Sequence, residues 1–112
     1  MKIAILGSGS KGNSIYIESK STKILVDAGF SGKIMKEKME RIGKNLEDIK
    51  ALLITHEHGD HIMGAGILAR RHKMPLYITR ESYLAGENKL GTVDEDLVNL
   101  IEKEYLQMIT NQ

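Results

Sequence analysis

The sequence contains no cysteine and no tryptophan, and it has a single phenylalanine and a single proline. Without cysteine the chain has neither disulfides nor thiolate metal ligands, so any transition metal must be bound by His, Asp, Glu and water. Aromatic residues make up only 4% of the chain, which argues against a base-stacking platform for single-stranded nucleic acid. The remaining metal-binding chemistry is that of imidazole and carboxylate.

A long apolar segment is also missing. The N-terminal apolar run ends at Gly7, too early for a signal peptide, and no stretch approaches the roughly 20 apolar residues of a membrane span. We therefore expect a soluble, cytoplasmic protein. The net charge of +1 neither demands nor excludes a nucleic-acid partner. With 112 residues, 41% of them hydrophobic, the chain can form one domain with a modest core.

The pattern of apolar residues predicts an α/β fold with a mixed sheet and flanking helices. Strands are predicted over 3–6, 14–19, 23–26, 49–55 and 75–79, and helices over 32–42, 61–72, 81–89 and 92–108. The links between the first three strands are too short for helical crossovers, so they form an antiparallel meander. The strand over 49–55 is nearly all apolar and should be central. The last helix is predicted from a capping box at Thr92–Glu95 and apolar residues that continue to Met108.

Individual side chains on the predicted helices are interpreted as structural. Met35 and Met39 lie one helical turn apart and are expected to fill the core. Gly64 and Gly66 each cost a helix about 1 kcal/mol relative to alanine, so they should permit close packing beneath the segment that precedes them. His72 stands alone near a helix C-terminus, where a cation is favourable.

A glycine-rich segment, Gly7-Ser8-Gly9-Ser10-Lys11-Gly12, matches the pattern G-x-G-x-x-G after a strand, and Asp27 follows at the distance of a ribose-binding acid. A dinucleotide site would need a helix directly after the glycines. The next residues, 15–17, are Ile-Tyr-Ile and favour a strand. We therefore predict a turn between antiparallel strands, with a nucleotide-binding module as the alternative.

The segment His56-Glu57-His58-Gly59-Asp60-His61, called the histidine turn below, contains three of the four histidines of the chain. It follows the predicted central strand, and α/β proteins usually carry their sites at such carboxyl ends. The i, i+2 spacing of His56 and His58 directs both side chains to the same side, and Gly59 lets the backbone turn. So many ligands in six positions favour a metal site over a surface turn that happens to be rich in histidine.

Three segments carry a resemblance to a known family. The histidine turn resembles the HxHxDH signature of the metallo-β-lactamase superfamily, and residues 24–29 (Ile-Leu-Val-Asp-Ala-Gly) resemble its first motif. Residues 7–14 are similar to the start of the bacterial WalJ (YycJ) group, whose members are regarded as 5′→3′ exonucleases. The resemblance runs from Met1 to about Tyr77. It implies a four-layer αββα sandwich, of which the chain would be the N-terminal half.

The same resemblance implies roles for individual residues. His56 and His58 would bind a first divalent ion, and Asp60 and His61 a second, with Asp60 also orienting a bridging hydroxide. Asp27 would support the metals without binding them. The ions would be zinc or manganese, with zinc favoured, and the reaction would be phosphodiester hydrolysis on nucleic acid. The residues expected to contact the substrate are Lys11, Asn13 and Ser14.

The ligand set is incomplete in this sequence. No histidine follows His72, so each metal would have two ligands from the chain, where a catalytic zinc normally has three. We therefore expect a fragment, a truncated product, or a half that dimerises through an exposed sheet face. As an isolated monomer it should bind metal weakly and hydrolyse little. The competing interpretation is a non-catalytic fragment or assembly protein.

Overall fold

A computed structural model describes residues 1–104, which form a six-stranded sheet in the order β1-β2-β3-β4-β5-β6. The strands are β1 (Lys2–Gly7), β2 (Ser14–Ser19), β3 (Thr22–Val26), β4 (Ala51–Leu53), β5 (Leu76–Thr79) and β6 (Val98–Ile101). The helices are α1 (Gly32–Arg41), α2 (Gly59–Ile62), α3 (Ala65–His72) and α4 (Arg80–Leu90). Among these described residues, no helix is long and apolar enough to cross a bilayer.

The first three strands form the predicted antiparallel meander. Ile3 pairs with Ile17 across β1 and β2, and Ile17 pairs in turn with Ile24 of β3. Short loops connect these strands, so no helix separates the glycine-rich turn from β2. The prediction of a turn between antiparallel strands is confirmed, and the helix that a dinucleotide site requires is not present at this place.

The other half of the sheet is parallel and begins at β4. Helix α1 and a 3₁₀ turn at Leu46–Asp48 connect β3 to β4, α2 and α3 connect β4 to β5, and α4 connects β5 to β6. Helical crossovers are what parallel neighbours require. Strand β4 therefore lies between parallel neighbours, and Leu52 and the following Ile54 are fully buried. Its predicted central position is confirmed, although the strand is shorter than predicted.

The core lies between the helices and one face of the sheet. Tyr16, Leu25 and Leu52 belong to it, together with Met35 and Met39 of α1, and all are at most 2% exposed. The predicted core role of the two methionines is confirmed. Because strand side chains alternate between faces, the isoleucines beside these positions lie on the opposite face of the sheet.

That opposite face is apolar and partly open. Ile3 and Ile5 of β1 are 61% and 70% exposed, and their cross-strand partners Ile17 and Ile15 are half-buried. A row of apolar residues on a sheet face is the usual sign of a surface that another layer covers. We call this set of four isoleucines the isoleucine face.

The helix predicted over 61–72 is in fact two helices, α2 and α3. The break falls at Gly64, whose N–H donates to the Ala28 carbonyl at 2.8 Å. A Cβ at Gly64 would lie 2.2 Å from the Phe30 carbonyl oxygen, and one at Gly66 would lie 1.9 Å from that of Leu90. The predicted close packing at both glycines is confirmed.

The helix predicted over 92–108 is wrong over residues 92–102, and of its described residues only 103 and 104 are α-helical. A 3₁₀ turn occupies Glu95–Leu97, and Val98–Ile101 form β6, which pairs in parallel with β5. The Asp94 carboxylate, and not the Thr92 hydroxyl, caps the turn by accepting from the Asp96 N–H at 3.0 Å. A short apolar run fits a helix face and a buried strand equally well, and the open edge of β5 decides for the strand. The predicted helical positions Tyr105 and Met108 lie outside the described residues.

Candidate metal centre

The histidine turn lies at the carboxyl end of β4, where the chain leaves the sheet and enters α2. Helix α2 begins at Gly59, and the His58 carbonyl accepts from the N–H groups of His61 and Ile62 at 2.9 and 3.0 Å. The end of β3 lies alongside, because the Asp27 N–H donates to the Leu53 carbonyl at 2.7 Å. The residues that follow these two neighbouring parallel strands therefore lie close together at the same edge of the sheet.

Asp27 is buried, and its carboxylate organises this place. Oδ1 accepts from the Thr55 N–H at 2.7 Å, and Oδ2 lies 2.5 Å from the Thr55 hydroxyl and 2.7 Å from His61 Nδ1. An ionised carboxylate has no proton to donate and can only accept hydrogen bonds. The His61 Nδ1–H therefore donates to Asp27, and His61 Nε2 is left free to bind a metal. Asp27 also has a positive φ of 64°, a conformation that non-glycine residues adopt rarely and often at functional sites.

Asp60 is held by the glycine-rich turn. The Asn13 amide donates from Nδ2 to Asp60 Oδ2 and to the Asp60 carbonyl, each at 3.1 Å, and the Asn13 N–H donates to the same carbonyl at 2.7 Å. Gly29 completes the contact, because a Cβ there would lie 1.9 Å from the Asp60 carbonyl oxygen. The supporting role of Asn13 and Gly29 was not foreseen from the sequence, where Asn13 precedes Asp60 by 47 positions.

The three histidines of the turn differ in position. The rings of His56 and His61 have centroids 4.7 Å apart, and those of His56 and His58 are stacked at 6.2 Å. Among the described residues, Asp27, His56 and His61 form the one group of three whose potential ligand atoms all lie within 4.8 Å of one another. His58 lies further out, with 70% of its side chain exposed. His61 Nε2 is 3.7 Å from Asp60 Oδ2.

Helix α4 contacts the histidine turn at Glu57. Lys89 Nζ donates to the Glu57 carbonyl at 3.0 Å, and the Ser82 hydroxyl lies 3.4 Å from Glu57 Oε2. A hydrogen bond from its own backbone N–H lowers the pKa of the Glu57 carboxyl, and the neighbouring His58 adds to the shift. Gly86 allows the approach, since a Cβ there would lie 3.2 Å from Glu57 Cβ.

Of the remaining predicted site residues, Ser14 lies next to this centre. Ser14 is 1% exposed, and its hydroxyl donates to the Asp27 carbonyl at 2.7 Å, so it supports the loop that carries Asp27. Lys11 is exposed in the glycine-rich turn. A contact of Lys11, Asn13 or Ser14 with substrate stays a prediction. His72 lies apart from the centre, with Nδ1 at 3.1 Å from Glu47 Oε1.

A cleft of about 830 Å³ opens above the centre. His56 and His61 line it on one side, and Ile5 and Ile15 of the isoleucine face line it on another. The donor set of imidazoles and carboxylates suits a first-row divalent ion. The orientation of His61 by a buried carboxylate is also the arrangement that metal-binding histidines usually have.

The mixed sheet and the cluster at the ends of β3 and β4 define a class of protein, an α/β protein with a candidate divalent-metal site at the end of its central strand. The chain belongs to the metallo-β-lactamase superfamily, whose family model matches residues 7–105. The predicted resemblance to this family is therefore confirmed.

Two curated relatives are bacterial exonucleases. The chain is 48% identical over 103 residues to exodeoxyribonuclease WalJ of Streptococcus pneumoniae serotype 2 (strain D39 / NCTC 7466), covering 90% of this chain and 38% of the relative. It is 38% identical over 96 residues to exodeoxyribonuclease YycJ of Bacillus anthracis, covering 86% of this chain and 36% of that protein. The chain thus spans little more than a third of the length of these relatives.

The fold is shared with solved metallo-β-lactamases. The Rm3 metallo-β-lactamase superposes with a TM-score of 0.71 at 22% identity, over 89% of this chain and 42% of that one. At this identity the likeness concerns the fold alone. It agrees with the predicted fold class, a mixed sheet with flanking helices that corresponds to the N-terminal half of the sandwich.

Proposed function

We propose that the chain is the N-terminal, metal-binding part of a metal-dependent nuclease that hydrolyses phosphodiester bonds in DNA. The observation that carries the proposal is the buried Asp27 carboxylate, which holds His61 Nδ1 at 2.7 Å and leaves the other ring nitrogen facing Asp60 and His56. The names of the 48% and 38% identical relatives support DNA as substrate and exonuclease action as its mode. Such a protein would meet its substrate in the cytoplasm.

The ligands are proposed as two pairs. His56 and His58 would hold one ion, and Asp60 and His61 would hold the other. Asp27 is proposed as a supporting residue, because both of its oxygens already accept hydrogen bonds from Thr55 and His61. Zinc is the favoured metal and manganese the alternative. A bound pair of ions would polarise a phosphoryl oxygen and lower the pKa of bound water.

The protein side chains would have distinct roles in the reaction, in which water adds to phosphorus and the bond to the leaving oxygen breaks. Asp60 would orient the attacking water, and its own position is fixed by Asn13. Lys11, exposed in the glycine-rich turn, would neutralise a substrate phosphate. Preorganised groups of this kind contribute to catalysis because they need no rearrangement when charge develops.

The proposal is tested by metal content and nuclease activity of histidine variants. In a chain extended to the relatives' length, His56→Ala and His61→Ala should lose bound metal and hydrolysis of a DNA oligonucleotide, whereas His72→Ala should keep its bound metal. His72 is a fair control because it is the fourth histidine of the chain and pairs with Glu47 outside the centre. Loss of metal in His72→Ala, or full retention in His61→Ala, would contradict the proposal.

We further propose that residues 1–112 form a single domain that is completed in the intact protein by another layer on the isoleucine face. The two exposed isoleucines, Ile3 and Ile5, and the third of a relative's length that the chain spans support this. The additional layer would supply the missing metal ligands. A non-catalytic assembly role, with a second copy on the same face, is the competing hypothesis.

Sedimentation and activity of two chains separate these possibilities. A chain extended to the relatives' length should be active, and the 112-residue chain should bind metal weakly and hydrolyse little. If each chain forms a stable dimer and neither is active, the assembly role is favoured. Equal activity of both chains would show that residues 1–112 need no additional ligands.

A further inference from the structure

A second groove lies between α1 and α3, outside the metal centre. It has a volume of about 350 Å³ and is lined along its rim by charged side chains. The basic residues at the rim are Lys33, Lys36, Lys44, Arg71 and His72, and the acidic ones are Glu40 and Glu47. The apolar residues Met39 and Leu68 line its floor and are each 1% exposed.

The cations at this groove are not all neutralised by neighbours. Lys44 lies 3.0 Å from Glu18, and His72 lies 3.1 Å from Glu47. Within residues 1–104, Lys33, Lys36 and Arg71 have no carboxylate within 4.0 Å, and all three are exposed.

The surrounding segments concentrate the positive charge of the chain. Residues 32–50 and 65–73 contain nine of the 16 basic residues but four of the 15 acidic ones. Since the whole chain has a net charge of only +1, the positive potential is a local feature of this surface. A local basic surface on a nearly neutral protein points to a polyanionic partner.

One end of the groove lies next to the metal centre. Gly32 and Ile67 line that end, and the residues just before α1 contact the histidine turn and its continuation, with Gly29 against the Asp60 carbonyl and Phe30 against Gly64. Helix α1, at about 1.5 Å per residue, then carries Lys33 and Lys36 away from the centre on one face. The basic rim therefore extends outward from the edge of the centre.

We propose that the groove between α1 and α3 binds the phosphate backbone of a nucleic-acid strand outside the metal centre. This rests on the proposed function for the choice of nucleic acid, and it adds a contact surface that the centre does not include. The apolar floor is buried, so contact is with charged side chains and not by insertion of apolar groups. That fits a phosphate backbone better than a membrane surface, where exposed apolar side chains add to charge.

The test is charge reversal at the three exposed cations. A variant with Lys33→Glu, Lys36→Glu and Arg71→Glu should bind a fluorescent single-stranded oligodeoxynucleotide about tenfold more weakly near 100 mM salt. The slope of log affinity against log salt should fall by about two, since each lost phosphate contact on a single strand removes about 0.7. Binding is measured with EDTA present, so that it does not depend on metal. Circular dichroism checks that the variant is folded.

The matched control reverses three exposed cations elsewhere, with Lys2→Glu, Lys20→Glu and Arg80→Glu, and has the same net charge. It should retain most of the affinity and the slope. An equal loss in both variants, or no loss in the groove variant, overturns the proposal. Binding of wild type to anionic phospholipid vesicles that the groove variant loses, with oligonucleotide binding unchanged, overturns it in favour of a membrane.

Failure of the proposed function gives a different result. If His61→Ala leaves metal content and hydrolysis unchanged, the metal assignment is wrong, yet the groove variant should still lose oligonucleotide affinity. If metal and hydrolysis depend on His61 but the groove variant binds as wild type does, the nuclease proposal stands and the groove proposal fails.

Discussion

The two ends of the histidine turn are held in different ways. The Asp60–His61 end is tied to the first half of the sheet by Asp27 and Asn13, through several hydrogen bonds of 2.7–3.1 Å, and Asp27 is 5% exposed. At the other end, His56 Nδ1 lies 2.9 Å from the Thr55 hydroxyl, α4 contacts only the intervening Glu57, and the His58 side chain is 70% exposed. Buried hydrogen bonds fix a side chain far better than exposed ones.

This difference indicates which part of the centre the chain prepares by itself. Ligands that are oriented by buried partners bind metal without first losing much side-chain freedom. Among the proposed ligands, His61 meets that condition through the buried Asp27, and Asp60 is held by the half-buried Asn13. His58 has no such partner. We therefore expect that the Asp60–His61 end is preformed in these residues, whereas the His58 end is ordered by metal or by a further layer of the protein.

The largest effect is expected from a change that separates the preformed end from the sheet. In Gly29→Ala the new Cβ would lie 1.9 Å from the Asp60 carbonyl oxygen and 2.5 Å from the Asn13 nitrogen, both backbone atoms. The backbone must shift, and we expect a loss of about 3 kcal/mol or more in the free energy of unfolding. Denaturant titration measures it. Gly59→Ala is the control, because nothing lies within 4 Å of a Cβ there, and it should cost less than about 1 kcal/mol. Equal stability of the two variants would contradict the close contact.

Asp27→Asn should weaken metal binding more than a substitution that only removes the α4 contact at the His58 end. The amide cannot accept from both Thr55 and His61 as the carboxylate does, so His61 loses its fixed tautomer. Loss of such a supporting partner typically costs about 10–100-fold in metal affinity, and stability should fall by about 1–3 kcal/mol. Isothermal titration calorimetry with zinc measures the affinity. Asp48→Asn, at an exposed pair 4.0 Å from Lys23, should bind as wild type does, and an unchanged affinity in Asp27→Asn would refute the supporting role.

Asn13→Ala removes the side chain that links the glycine-rich turn to Asp60. Three hydrogen bonds from its amide nitrogen are lost, including the one to Asp60 Oδ2 at 3.1 Å. We expect a loss of about 1–2 kcal/mol in the free energy of unfolding and a smaller loss of metal affinity than in Asp27→Asn. Thermal denaturation and zinc titration measure the two. Asn45→Ala is the control, since Asn45 makes no side-chain capping bond. A larger effect at Asn45 would show that the Asn13 link is unimportant.

Features formed by residues close together in the sequence could be predicted, whereas contacts between distant residues could not. The histidine turn and the meander were predictable, because His56 and His58 lie two positions apart and Ile15–Ile17 favour a strand over short links. The link of Asn13 to Asp60 was not, since it joins residues 47 positions apart. Strand β6 was missed for a similar reason: the apolar residues after Glu95 fit a helix as well, and only the free edge of β5 selects the strand.

At the His56–His58 end of the histidine turn, Lys89→Met should have little effect on stability or on zinc affinity. It removes the 3.0 Å hydrogen bond from Lys89 Nζ to the Glu57 carbonyl, but both groups are at the surface and water can replace the donor. We expect a change below about 1 kcal/mol in the free energy of unfolding, and a smaller loss of zinc affinity than in Asp27→Asn. Denaturant and zinc titrations provide both values. A loss of affinity as large as that of Asp27→Asn would mean that α4 fixes its end as firmly as Asp27 fixes the other.

The smallest effect on the centre is expected from a carboxylate that lies away from both ends. Hydrogen bonds from the Tyr16 hydroxyl at 2.5 Å and from Lys44 at 3.0 Å lower the pKa of Glu18 to about 2, from an ordinary 4.5. Because the pKa of the folded state is depressed, the stabilisation is present above pH 4.5 and is lost as the pH falls toward 2. The melting temperature of wild type should therefore be higher than that of Glu18→Gln at pH 7. This difference in melting temperature should shrink between pH 4.5 and 2. Glu87→Gln, at an exposed position of α4, is the control and should melt with wild type at every pH. Zinc affinity of Glu18→Gln at pH 7 should equal that of wild type, since none of its partners contacts the histidine turn. A drop in zinc affinity would show that the preformed end depends on the whole meander and not on Asp27 and Asn13 alone.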